Sequence, residues 1–466
     1  MNEHLTTVFI AREMAARGYT VIPGPDVSVT GGSADSRTTR PGDVFAAFRG
    51  ENVDGNVFVA EALANGAVAA VCERAPAGGA ADKTLVVAPD TTRAMAELAT
   101  AWRRECSPRV VGITGTVGKT TAKDVTAAVL ATQFRTHKSE GNLNSREGLP
   151  LALMSLRRDD EVSVLEMGMD SPGEILELCA IAEPEVGVVL NVGLTHVSKL
   201  GSIQAIAREK LSLVRWLPET GTAVLNADDP WIAPVAGELH CRVITFAGAR
   251  EAAPHATLTY TDIRSEGLAG TRFFLTTGKK SARVDSPLPG EHTIPGVVAA
   301  VGVAMALGMR LFDAANAVRN SGLTGRVRTL PGRDGSTIVD DRYNSSPASL
   351  AGALAVLGDI RAYRGTRTIA LLGKMAELGE FEAEEHRKAG RLAASSCDIL
   401  VAVGEPCRAL IEEAKAAGHA DARWFEDKDE AAAAVSALLR EGDTVLVKAS
   451  RSQAFETILP RLAGES

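Results

Sequence analysis

The chain has 466 residues, 45% of them hydrophobic, with 50 Lys and Arg against 58 Asp and Glu and a net charge of -8. That length supports about two to four domains with ample core. Scattered cations, with no basic stripe interleaved with aromatics, argue against a nucleic-acid partner. The six cysteines (Cys72, Cys106, Cys179, Cys241, Cys397, Cys407) never fall in a C-x-x-C pair, against a disulfide framework or zinc knuckle and for a reducing compartment. Charges interrupt Met1 to Arg12, and no stretch approaches the roughly 20 apolar residues of a membrane span, so a soluble, cytoplasmic protein is expected.

In chain order, residues 1 to 108 read as a small α/β domain. Asp43 to Phe48 and Ala67 to Val71 look like strands around a helix-like stretch from Phe58 to Asn65. Residues 109 to 322 open on an apolar run, Val110-Val111, then a glycine loop, then a helix-like stretch from Ala122 to Leu130. Val162 to Leu165 and Val186 to Leu190 are short apolar runs of the kind that buried parallel strands show. The more polar stretch Ala253 to Ser286 reads as a β-rich insertion. From 323 to 466 the alternation restarts, with strands at Thr337-Ile338-Val339, Thr368 to Leu372, Ile399 to Val403 and Thr444 to Val447, separated by Ala-rich helical sequence. The fold class expected is α/β in three domains, the last doubly wound.

Chemistry concentrates in Gly112-Ile113-Thr114-Gly115-Thr116-Val117-Gly118-Lys119-Thr120-Thr121. Strand, glycine loop and helix in that order make a phosphate cradle: backbone N–H groups turn inward and the helix N-terminus favours an anion. Lys119 would reach the β- and γ-phosphates and Thr120 would offer its hydroxyl to magnesium. The spacing is a variant, because Ile113 stands where the strict motif has glycine and Gly115 supplies the turn; a ligand-free Gly-Thr turn is the bland alternative. Glu166 ends one apolar strand, where a magnesium ligand belongs in such a sheet, and His196 follows another. Taken singly, a solvated Glu and a hydrogen-bonded loop His are the commoner readings; behind a phosphate loop, a metal role is favoured.

Ser202 can cap a helix whose apolar positions are Ile203, Ile206, Ala207, Leu213, Val214 and Leu217. Lys210 falls on that stripe. Desolvation there would lower its pKa, and a neutral amine can add carbon dioxide to become a carbamate. Helical geometry alone favours the alternative, a snorkelling lysine whose stem covers core while its ammonium reaches water.

The chain resembles the Mur ligases across all three blocks. The first carries Asp35-Ser36-Arg37, Gly42-Asp43-Val44-Phe45 and Asp54-Gly55. The second carries the loop, Gly141-Asn142-Leu143-Asn144, Gly148-Leu149-Pro150, Glu166-Met167-Gly168, Gly173-Glu174-Ile175 and Asn226 to Pro230. The third carries Gly325-Arg326, Asp340-Asp341-Arg342-Tyr343-Asn344-Ser345-Ser346-Pro347, Met375 to Gly379, His386 and Lys448-Ala449-Ser450-Arg451. The Asp-Asp-x-Tyr-Asn-x-x-Pro element is similar to the branch that joins D-alanyl-D-alanine to UDP-N-acetylmuramoyl-tripeptide. The resemblance implies ATP bound by Thr114 to Thr121, with Arg326 and Asp340 reaching the nucleotide from the third domain. It implies two magnesium ions held by Thr120, Glu166, His196 and a carbamylated Lys210, with Lys119, Lys210, His196 and Glu166 as the catalytic set. Ser36, Arg37, Asn142, Asn144, Asn344, Lys448 and Ser450 would bind substrate, in a monomeric, cytoplasmic peptidoglycan-precursor ligase.

Four positions depart from the family pattern. Gly290-Glu291-His292-Thr293-Ile294-Pro295-Gly296 lacks both asparagines of His-Asn-x-x-Asn, Lys374 stands where an acidic residue is common, Ala449 replaces a glycine and Val117 a small or polar residue. The rival readings are a sibling ligase adding a single diamino acid to the dipeptide precursor, a folate-type glutamate ligase, a P-loop switch or motor, and a non-catalytic binder. Tyr343-Asn344 argues against the sibling, the first block against the folate enzyme, and the lack of an Asn-Lys-x-Asp base-reading motif against the switch.

Overall fold

The computed structural model describes residues 4–50, 53–77, 82–195, 197–248, 255–323 and 328–464. Among these, three main sheets follow one another along the chain.

The first is built by β1 (Thr20–Ile22), β2 (Gly31–Ser33), β3 (Asp43–Ala46), β4 (Ala69–Cys72) and β5 (Thr84–Val87), in the order β1-β5-β4-β3-β2. Helices α1 (Thr7–Ala16), α2 (Val59–Ala64) and α3 (Thr91–Cys106) accompany it. α3 starts where the Asp90 side chain accepts from Arg93 N–H and ends at Ser107, whose φ of 52° is left-handed.

The second contains β6 (Arg109–Thr114), β7 (Thr136–Lys138), β8 (Val162–Glu166), β9 (Val186–Val189), β10 (Thr222–Asn226), β11 (Arg242–Gly248), β12 (Leu258–Ser265), β13 (Thr271–Thr277) and β14 (Lys280–Ser286). The order is β14-β13-β12-β11-β10-β9-β6-β8-β7; the strands from β7 to β12 pair in parallel and the last two pairings are antiparallel. The parallel core strands are buried throughout, which is why they read as unbroken Val, Ile and Leu runs. The polar stretch expected as an insertion extends this same sheet by three strands; Ala253, its expected start, lies outside the described residues. The principal helices here are α4 (Lys119–Leu130), α5 (Glu174–Ala182), α6 (Ile203–Trp216) and α7 (Ile294–Ala306). α4 begins at Lys119, one turn earlier than the apolar pattern indicates, because the phosphate-loop residues themselves form its first turn.

The third sheet joins β15 (Arg328–Pro331), β16 (Thr337–Asp340), β17 (Thr368–Leu372), β18 (Ile399–Val403), β19 (Ala422–Phe425) and β20 (Thr444–Lys448) in the order β15-β16-β20-β17-β18-β19, parallel except for β15. Helix α8 (Pro347–Arg364) follows β16 and α9 (Glu382–Ser396) follows β17.

The cores do not respect the three sheets equally. One continuous apolar cluster runs from Leu5, Phe9 and Trp102 in the first unit to Leu149, Met167, Leu178 and Leu213 in the second. Trp102 is fully buried at that junction and donates its Nε1–H to the Leu156 carbonyl (2.9 Å). The third unit keeps two apolar clusters of its own, one on each face of its sheet. Among the described residues the second unit meets them at α8 in two places: Leu268, in the Gly267–Ala269 turn between β12 and β13, with the exposed Tyr363 of α8 beside Gly267, and Gly290 with His292, against Val356 and Gly352.

Candidate active site

The phosphate loop leaves β6 at Thr114 and enters α4 through Gly118, whose φ of 82° is left-handed and suits glycine. Asn191, just past β9, clamps it. Its Oδ1 accepts from Val117 N–H (2.9 Å), its Nδ2 donates to Val117 O (3.0 Å), and Gly193 N–H donates to Thr116 Oγ1 (2.8 Å). These bonds tie the loop backbone to the segment that follows β9.

Three predicted residues converge on this loop. Lys119 Nζ donates to Gly115 O (2.9 Å), and Lys210 Nζ, reaching across from α6, donates to the same carbonyl at 3.0 Å. Lys210 is only 2% exposed, so its ammonium does not snorkel. Burial drives its pKa well below 10.5, the Lys119 charge pushes the same way, and Glu209 opposes them. Ser202 caps α6 as expected, accepting from Ala205 N–H at 3.2 Å, and this fixes the face on which Lys210 sits. Glu166, at the end of β8, accepts from Thr120 Oγ1 (2.5 Å) and Asn144 Nδ2 (2.7 Å).

Loop, carboxylate and asparagine open onto a cleft of about 800 Å³. Its opposite wall belongs to the third unit and includes Asp341, Tyr343, Asn344 and Lys448. Lys448 is buried and bonds Asp341 Oδ2 (2.7 Å) and Asn344 O (2.9 Å). Asn142 also lines the cleft. Asp340 is held by Arg342 Nε (2.9 Å), and it is its neighbour Asp341 that faces the cleft. Ser450 Oγ accepts from Ala376 N–H (2.8 Å) behind that wall. Ser36 and Arg37 lie in the first unit, outside the cleft lining; Ser36 Oγ donates to Glu61 (2.9 Å) and Arg37 pairs with Asp35 (2.7 Å). His196 and Arg326 lie outside the described residues.

Where the two asparagines are absent, Thr293 and Gly296 line the cleft, with Gly296 close against Ala122 of α4. His292 lines it too. Packing around its ring pushes its pKa below the ordinary value against the Asp341 carboxylate, and Lys448 adds to the fall.

Sequence reasoning assigned no role to Asn191 or Glu209. Glu209 accepts from Gly173 N–H (2.8 Å) and Ile175 N–H (2.9 Å), capping α5. A strand-end Asn after an apolar run was the available signal for the first; its partner, Val117, is 74 residues away.

The Mur ligase middle domain matches residues 113–304, the Mur ligase glutamate ligase domain 325–451, and the Mur ligase family catalytic domain 28–103. The UDP-N-acetylmuramoyl-tripeptide–D-alanyl-D-alanine ligase of Bacillus subtilis is 30% identical over 93% of each chain. The chain belongs to the Mur ligase family. Among solved Mur ligases, MurF from Acinetobacter baumannii superposes with a TM-score of 0.84 at 28% identity, covering 99% of each chain. MurF from Thermotoga maritima, solved in complex with ADP, gives 0.75 at 27% identity over 94% of this chain and 98% of that one. In this Mur ligase no helix among the described residues is long and apolar enough to cross a membrane. No three His, Cys, Asp or Glu side chains among them gather as a metal cage.

Proposed function

We propose that this Mur ligase joins D-alanyl-D-alanine to UDP-N-acetylmuramoyl-tripeptide in an ATP-driven reaction. One observation carries the reading most. The phosphate loop and the Thr120–Glu166–Asn144 chain line one edge of a cleft whose far wall is the third unit, and the buried Lys210 bonds the loop behind them. The likeness to ligases of that name over more than nine-tenths of the chain supports the choice of substrates. The units 1–108, 109–322 and 323–466 would take the sugar nucleotide, ATP and the dipeptide side respectively, with Ser36 and Arg37 in the sugar-nucleotide region and Arg326 and Asp340 near the nucleotide. A cytoplasmic monomer is proposed.

A carboxylate repels an incoming amine and has no good leaving group. Transfer of the ATP γ-phosphoryl group to the tripeptide carboxylate gives an acyl phosphate. The neutral dipeptide amine then attacks its carbonyl, the nitrogen gives up one proton, the tetrahedral intermediate collapses, and the C–O bond breaks so that phosphate leaves and an amide remains. Lys119 would leave its loop carbonyls for the β- and γ-phosphate oxygens, while the first-turn N–H groups of α4, beyond the Val117 N–H that Asn191 takes, would hold them. Asn142, Asn144, Asn344, Lys448 and Ser450 would position the two substrates.

The site fits magnesium. Glu166 is 2% exposed and shares its carboxylate with a threonine hydroxyl, a hard-oxygen pair at a phosphate loop. Thr120 and Glu166 would hold one ion, and His196 with a Lys210 carbamate a second; bound there, they supply positive charge to the transferring phosphoryl oxygens. Neutral Lys210 amine would attack carbon dioxide through its nitrogen lone pair, forming the N–C bond and releasing one proton.

Phosphate release tests the reading. With ATP and UDP-N-acetylmuramoyl-tripeptide, D-alanyl-D-alanine should start the reaction and free diamino acids should not. Release independent of the dipeptide would overturn it.

A further inference from the structure

One buried cation takes no part in the chemistry described so far. Lys123 lies on α4 one turn beyond Lys119 and Thr120, on the same side of the helix, and is only 2% exposed. Its Nζ donates to the Ser139 carbonyl at 2.7 Å. Asp124 Oδ1 stands 3.7 Å from that ammonium and also takes Lys138 at 2.7 Å. A methionine or leucine would fill the same space without the cost of drawing an ammonium out of water. What a hydrocarbon cannot supply is the grip on the carbonyl.

Ser139 is itself buried and directly follows β7. Its N–H donates to Val164 O (3.1 Å), and its Oγ accepts from Glu166 N–H (3.2 Å). From there the chain runs through Asn142, at the cleft, to Asn144, whose Nδ2 holds Glu166 Oε1 at 2.7 Å. Gly168 N–H returns to Asn144 O (2.7 Å), and a Cβ at Gly168 would stand 3.0 Å from the Asn144 side chain. Glu166 is therefore held twice by one segment, at its backbone by Ser139 and at its carboxylate by Asn144. Lys123 ties the start of that segment to the helix that carries Thr120, the other partner of the carboxylate (2.5 Å).

Under the metal reading proposed above, on which this rests, Thr120 and Glu166 hold one ion. We infer that Lys123 is a positioning residue for that carboxylate: through segment 139–144 it fixes where Glu166 on β8 stands relative to Thr120 on α4. Two oxygens meant for one small cation bind it best when they are set before it arrives, since ordering them afterwards subtracts from the affinity. Lys123 does this from inside the fold and touches neither nucleotide nor ion.

The test is calorimetric binding of a non-hydrolysable ATP analogue to the intact protein, in EDTA and across a magnesium series. The unaltered protein should bind the analogue more tightly as magnesium is added. In Lys123→Met the magnesium concentration giving half of that gain should rise about tenfold or more, while affinity in EDTA stays within about twofold. The magnesium concentration for half-maximal turnover should rise alongside it, with the KM for D-alanyl-D-alanine unmoved. Lys123→Arg should recover part of the loss. Ser139→Ala, which keeps the carbonyl and removes the hydroxyl beneath Glu166 N–H, should raise the same midpoint about threefold, and it decides the matter where the methionine variant does not fold. An unmoved magnesium midpoint, or an equal loss of analogue affinity with and without the metal, overturns this inference and leaves the ligase reading standing. No magnesium gain in the unaltered protein overturns the metal reading together with it.

Discussion

An ammonium shut away from water is a weak cation and a ready amine, and Lys210 shows how a fold makes one. The loop carbonyl of Gly115 is its single hydrogen-bond partner among the described residues, and Lys119 shares that carbonyl. Two like charges on one acceptor favour losing a proton from the more buried of them. If the carbamate is the working form, Lys210→Ala should lower turnover at least about a hundredfold and regain part of it with added short carboxylates. The same loss with no rescue at any carboxylate concentration would leave Lys210 as a loop brace. Helical spacing placed Lys210 on the apolar stripe but favoured a snorkelling lysine over the buried one found. Periodicity reports the face of a helix, and depth depends on what the tertiary fold lays over it. Asp340 and Asp341 show the same limit: two adjacent carboxylates in one motif, of which only the second faces the cleft.

At the scale of elements, the edge strand β7 is fastened by a histidine. His137 is buried, with Nδ1 2.9 Å from Ser163 Oγ in β8 and Nε2 3.1 Å from the Ala152 carbonyl in the Gly148–Leu153 helix. Burial lowers its pKa from 6.5 to about 4. Between those values the unfolded chain holds a proton that the folded chain refuses. Stability is therefore intact above pH 6.5 and falls as pH drops toward 4, by roughly 2 to 3 kcal/mol at pH 4.5. Denaturant unfolding at pH 7 and pH 4.5 measures this, and His137→Gln should flatten the difference; an equal drop in both proteins would remove His137 as its source. Many buried parallel strands were legible as short apolar runs, because both faces of such strands are covered; Thr84–Val87 and Thr222–Asn226, also buried, were not singled out. The Asn191 clamp and the Glu209 cap were not, since each joins residues distant in sequence with no periodic signature.

For the whole molecule, the alternation of strands and helices exposed three blocks, yet it could not show that the first two share one core while the third keeps its own. Patterning says which residues seek burial and is silent on which neighbour buries them. The division predicts which part moves: the first and second units should travel as one body and the third should swing toward the phosphate loop, excluding water from the acyl phosphate. X-ray scattering should show a smaller radius of gyration when a non-hydrolysable ATP analogue and the UDP-tripeptide are both present. No compaction would count against closure.

Leu268 gives that swing a fixed point. One aliphatic knob on a hairpin turn, seated against α8 beside the Gly290–His292 contact, would serve as the pivot of that predicted swing. The gap at the phosphate loop then opens and shuts along an arc rather than by free diffusion, so each closure brings the same side chains back over the same atoms.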